Sequence, residues 1–229
     1  MTTTSNISGT IRLDKPTMSA TLRTRINFGV PHLISAALFS RQTRALEQLH
    51  HGERFGAFWD EILASATATV FTSVAGLESY ANELFADRAP VFPGVAEEHL
   101  MTEWRRVERR PLLEKFNLAL RSRSAPELSD QDANWSDVAT LISLRNALVH
   151  FKPEWADEQV MHAELSAKLA RCIAPSPFTP AGSLFPMAWA GHDCTAWAVR
   201  TVLSFIVHFE GCAGLKNRIE PFLARLSDH

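Results

Sequence analysis

The stretch LISLRNALVHFKPEW, residues 141–155, is the one whose reading decides the fold. At about 100° per residue, with Val138 as the reference, Leu141 falls at about −60°, Ile142 at about +40°, Leu148 at about −80° and Val149 at about +20°, which makes one apolar helical stripe. Arg145 falls at about −20°, inside that stripe, while Asn146, His150 and Ser143 share an adjoining polar face at about +80°, +120° and +140°. A guanidinium in a core-facing stripe calls for an acidic partner. An unpaired buried charge costs on the order of several kcal/mol, and arginine does not escape by losing its proton.

The segment TATVFTSVAGLESYANELFAD, residues 67–87, supplies that partner. With Phe71 as the reference, Phe85, Val74, Ala81 and Val70 cluster between about −40° and −100°, and Glu78 falls at about −20°, beside them. Two helices, each with one misplaced charge of opposite sign, are expected to pack together, with Glu78 orienting Arg145 through a bidentate hydrogen bond. Gly76, about 1 kcal/mol less favourable than alanine in a helix interior, is expected to permit close approach of another element.

The ends of the motif helix follow from local chemistry. Asp130 or Asp132 is placed to cap its N-terminus, and Pro153 disfavours helical geometry at Lys152, so the helix is expected to stop near His150 or Phe151. A histidine in a last turn faces the negative end of the helix dipole, which favours its protonated form and suits proton transfer near neutral pH.

Around this pair the chain reads as helical throughout, with segments at approximately 31–50, 55–88, 95–107, 110–123, 133–151, 156–172, 193–211 and 215–227. Breakers separate them: Pro90, Pro93 and Gly94; Pro126; Pro153; and a run from Pro175 to Pro186 whose Phe178, Leu184, Phe185, Met187 and Trp189 are expected to pack back on the bundle. Alternating strand patterns are scarce and no repeat is visible. The expectation is an all-α, single-domain bundle of about seven or eight helices over 31–229, preceded by a polar N-terminal arm over 1–30.

Composition excludes several classes. The chain has 229 residues, 46% hydrophobic, with a net charge of −2, which rules out general disorder and a global basic field. Any nucleic-acid contact must then be local. One basic run exists between Glu103 and Ser124, where Arg105, Arg106, Arg109, Arg110, Lys115, Arg121 and Arg123 outnumber Glu103, Glu108 and Glu114. Such a run is either a solvated helix face or a phosphate-binding surface. Cys172, Cys194 and Cys212 match no zinc or CxxC spacing, so neither a disulfide framework nor a metal site is expected, and a reducing cytoplasm fits. The start lacks an apolar core of the signal-peptide kind, and the apolar run from Ala196 to Phe209 is interrupted by Arg200 and His208, so no membrane span is expected. GHDC at 191–194 is expected to be structural, and His50 with His51 and Glu53 a polar helix end. The six tryptophans read as core anchors, with Trp155 placed to line a base-stacking rim. No dinucleotide, P-loop, HExxH or GxSxG motif is present, so no cofactor is expected.

LRNALVHFKPEW resembles the signature of the HEPN superfamily, all-α domains marked by arginine, four to six residues and histidine, often with a polar residue directly after the arginine. GLESYANELF is similar to the helix that supplies that family's acidic partner, and CTAWAVRTVLSFIVHF to a late helix of bacterial HEPN-like proteins of unassigned function. The resemblance covers 66–88, 135–156 and 193–210. It implies a metal-independent endoribonuclease, commonly a homodimer with two motifs face to face, in toxin–antitoxin or antiphage systems with an antitoxin or defence partner. Arg145 and His150 would then be catalytic, Glu78 and Asn146 supporting, and Lys152 a further phosphate contact. The family also includes members that bind or scaffold without cleaving, so a non-catalytic interaction or RNA-binding module is the other reading.

Overall fold

The computed structural model describes residues 8–11, 18–21, 25–53, 55–155, 160–179 and 182–226. Two short strands, β1 (Ser8–Ile11) and β2 (Met18–Thr21), pair antiparallel with Ser8 opposite Thr21. Of the arm expected over 1–30, residues 25–28 are also described and Gly29 already begins the first helix, while its other residues lie outside the described residues.

The body is all-α, as the periodicity implies. α1 (Gly29–Leu49), α2 (Trp59–Ala86) and α8 (His192–Cys212) pack together as the central layer. α6 (Ala133–Val149) lies against α2 and α8, and α5 (Leu112–Ser122) against α2 and α4 (Glu97–Val107). The short helices α3 (Arg88–Val91), α7 (Ala163–Leu169) and α9 (Leu223–Leu226) complete the bundle. Val70, Val74, Ala81 and Phe85 of α2 are buried as expected, and Phe116 of α5 meets Phe205 and Phe209 of α8 edge-on at 4.9 Å.

By length, and by a mean hydropathy of 1.2 over an 18-residue window, α2 is apolar enough to cross a membrane. Half of that window is buried inside the bundle, the packing of a core helix. Gly76 provides the close approach expected of it. A β-carbon there would lie 2.5 Å from Leu33 Cδ2 and 2.9 Å from Leu33 Cγ, so α1 and α2 meet where the side chain is missing.

The structure corrects several expected helix lengths. Of the helix expected over 156–172, the described residues form only α7: residues 153–155 and 160–162 are not helical, and residues 156–159 lie outside the described residues. Glu154 accepts from the Met161 backbone N–H at 2.8 Å, and His162 Nε2 lies 3.0 Å from the Lys152 carbonyl. The helix expected over 215–227 is reduced to a 3₁₀ turn, Glu220–Phe222, and α9. In that region the Arg218 backbone N–H donates to both Glu210 carboxylate oxygens, at 3.0 and 3.1 Å, and Pro221 falls inside the turn. Of the Pro-rich run, Phe178, Leu184, Phe185 and Trp189 are buried, whereas Met187 is exposed. Trp155 is no core anchor: it is 79% exposed. In the GHDC segment the His192 backbone donates to Glu47 at 2.6 Å, Asp193 accepts from the Ala174 backbone at 2.6 Å and Cys194 is fully buried, all structural roles.

Candidate functional site

α6 carries the motif. Asp132 caps its start, accepting from the Trp135 backbone N–H at 3.1 Å, and its other carboxylate oxygen lies 2.7 Å from His208 Nε2 on α8. This anchors α6 to the central layer through its first turn. Val138, Leu141 and Leu144 are fully buried and fix which face points inward. The helix ends at Val149, and His150 is the cap residue, its backbone N–H bonded to the Asn146 carbonyl at 2.9 Å.

Rotation by those three anchors moves Arg145 from the centre of the apolar stripe to its edge. The guanidinium reaches Glu78 of α2 as expected, with Nη2 3.3 Å from Glu78 Oε1. The contact is single rather than bidentate, and the pair is open to solvent: 27% of the Arg145 side chain and 47% of the Glu78 side chain are exposed. The angular reading misplaced both because the true burial axis of α6 runs through Leu141 and Leu144, and that of α2 through Val74, Leu77 and Ala81, while Phe71 is partly exposed. Each charge therefore sits where a helix face turns from core to solvent. Asn146, His150 and Lys152 are exposed.

A cleft of about 450 Å³ opens beside the pair. One wall is α6, with Ala139, Ile142, Arg145 and Asn146, and the other is the turn from α4 into α5, with Arg109, Arg110 and Pro111; Glu78 lies between them. His150 is not among its lining residues. Arg145, Glu78 and Asn146 are thus brought together, while His150 and Lys152 belong to the solvent-facing end of α6.

The basic run seen in the sequence divides in three dimensions. Arg106 pairs with Glu103 at 2.5 Å and Arg121 with Glu127 at 2.7 Å. Arg123 donates to the Ala213 and Val91 carbonyls, and Lys115 is buried, 3.3 Å from Asn82 Oδ1 and over the Trp104 ring. Arg109 and Arg110 remain exposed, and neither makes an ion pair or side-chain hydrogen bond among the described residues. The charge run in the sequence signalled them, but nothing in it showed that they face Arg145.

Chemically, the cleft is lined by three arginines, an asparagine and a glutamate together with apolar residues such as Leu112 and Ile142. That set recognises an anion with several oxygens, since arginine forks match phosphate geometry. Among the described residues, no cluster of three or more His, Cys, Asp or Glu side chains is placed to hold a metal ion. Cys172, Cys194 and Cys212 are all free thiols. No known protein family matches the chain, and no curated protein or solved structure is detectably similar to it.

Proposed function

We propose that the chain is a metal-independent endoribonuclease of HEPN type acting at α6. What carries the reading is the Glu78 to Arg145 contact at 3.3 Å, which holds a partly exposed guanidinium at the mouth of an open cleft with Asn146 beside it. In this reading the RNA 2′-hydroxyl oxygen attacks the adjacent phosphorus and the bond from phosphorus to the 5′-oxygen breaks. The products are a 2′,3′-cyclic phosphate and a 5′-hydroxyl. Arg145 stabilises the charge on the phosphorane, and His150 at the end of α6 transfers the proton, so that acid–base and electrostatic catalysis combine. The family resemblance adds a homodimer, a cytoplasmic toxin–antitoxin or antiphage setting and an antitoxin or defence partner.

A second reading is a non-catalytic interaction or RNA-binding module. The observation that favours it is the position of His150, exposed at the helix end rather than on the cleft wall. Incubating labelled RNA with wild type, Arg145→Ala and His150→Ala in EDTA separates the two. The nuclease reading expects cyclic-phosphate ends from wild type alone. Equal product from all three proteins, or none from wild type, removes it.

A further inference from the structure

We infer that Arg109 and Arg110, on the turn between α4 and α5, form an anchoring subsite with Arg145 for the phosphodiester backbone of single-stranded RNA. The inference rests on the reading of α6 as a nucleic-acid site and names the part of the molecule that would hold the strand. Three observations carry it. Arg109, Arg110 and Arg145 line one cleft from opposite walls. Among the described residues, Arg145 is the one of the three with an acidic partner, Glu78, and the other two arginines are exposed with no counter-ion. The remaining cations of the same run are engaged elsewhere, with Glu103, Glu127, backbone carbonyls or Asn82, and among the described residues Arg105 is the one other exposed cation of the run with no partner.

The chemistry of the walls narrows the ligand. A chain with a net charge of −2 has no general attraction for polyanions, so two unneutralised arginines in a concavity make a local field where the protein otherwise offers none. A volume of about 450 Å³ is of the size that takes a small-molecule or single-nucleotide unit rather than a duplex. Ile142 and Leu112 provide apolar surface for a ribose or base, with phosphates directed to the arginine rim. The subsite sits on the flank of Arg145 away from the helix end, so a strand lying across it continues past Arg145 toward His150.

Binding is measured with a short single-stranded RNA carrying 2′-O-methyl groups throughout, which block the attacking hydroxyl, over a series of salt concentrations. Each phosphate contact on a single strand contributes about −0.7 to the slope of log K against log salt, so the Arg109→Ala/Arg110→Ala variant is expected to bind more weakly with a slope shallower by about 1.4. Arg109→Lys/Arg110→Lys is expected to keep most of that slope. Arg44→Ala, which removes one positive charge on the exposed side of α1, is expected to match wild type. Thermal melts of the variants establish that each is folded, which the exposure of both arginines favours.

Unchanged affinity and slope in the double alanine variant overturn the inference, and leave the nuclease reading standing if wild type cleaves unmodified RNA. Salt-dependent binding that needs Arg109 and Arg110, without cleavage by wild type, sustains the inference and removes the nuclease. Failure of wild type to bind the RNA at low salt overturns the inference.

Discussion

The Glu78 carboxylate on α2 and the Arg145 guanidinium on α6 stand 3.3 Å apart, joining two helices that are 67 residues apart in sequence. Because both side chains retain solvent contact, the pair behaves as a surface ion pair, for which coupling is about 0.2–1 kcal/mol. Glu78→Gln, Arg145→Ala and the double variant, compared by urea unfolding in a double-mutant cycle, are expected to give a coupling in that range. A coupling several-fold larger would mean that the pair is buried in solution. On the nuclease reading, Glu78→Gln also lowers cleavage with little change in stability, since the carboxylate orients Arg145 without supporting the core.

Gly76 is the position where α1 and α2 come closest. Alanine there gains about 1 kcal/mol of helix propensity but places its β-carbon 2.5 Å from a Leu33 side chain that is itself only 2% exposed, so Leu33 has no free volume to enter. Gly76→Ala is expected to destabilise the chain by about 1–3 kcal/mol, the usual cost of overpacking. Leu33→Ala combined with Gly76→Ala should cost less than the sum of the two single substitutions. Additive costs in chemical unfolding would show that the two side chains do not compete for the same space.

Tyr80 is the chain's one tyrosine, and its hydroxyl donates to Glu210 at the base of α8. Burial, then the neighbouring Glu210 carboxylate, pushes the phenol far above its ordinary value, with Arg218 offsetting only part of this. A folded-state value raised above the unfolded one gives stability that is complete below the unfolded tyrosine value of about 10 and is lost as pH rises beyond it. Alkaline titration followed at 295 nm should therefore show no phenolate until helicity is lost. A phenolate signal rising near pH 10 with the fold intact would contradict this. Tyr80→Phe is expected to lessen the alkaline fall in stability, leaving the part due to the buried Cys194 thiol, which burial also raises, and to cost about 1–3 kcal/mol at neutral pH.

The core helices were legible because their signal is local. Val70, Val74 and Ala81, or Val138 and Leu141, repeat at a spacing fixed by the turn of a helix, and their burial follows. Asp132 as a cap and Pro153 as a breaker act within a few residues, and α6 begins and ends where they place it. The Glu78 and Arg145 pairing was legible for a different reason: two unmatched charges on otherwise apolar helices leave little choice of partner. The depth of that pair was not, because a shift of one helix face by a few tens of degrees moves a side chain from core to edge, and that rotation is set by what packs behind it.

The sequence by itself determined an all-α bundle, the span of the motif helix and the residues Glu78, Arg145, Asn146 and His150 on or beside it. Only the tertiary structure decided that Arg109 and Arg110 line one cleft with Arg145, that α7 begins only at Ala163, and that His150 is not among the cleft's lining residues. Periodicity and capping are carried by neighbours along the chain. Which surfaces meet is fixed by burying the apolar faces of segments far apart in sequence, and that depends on all of them at once.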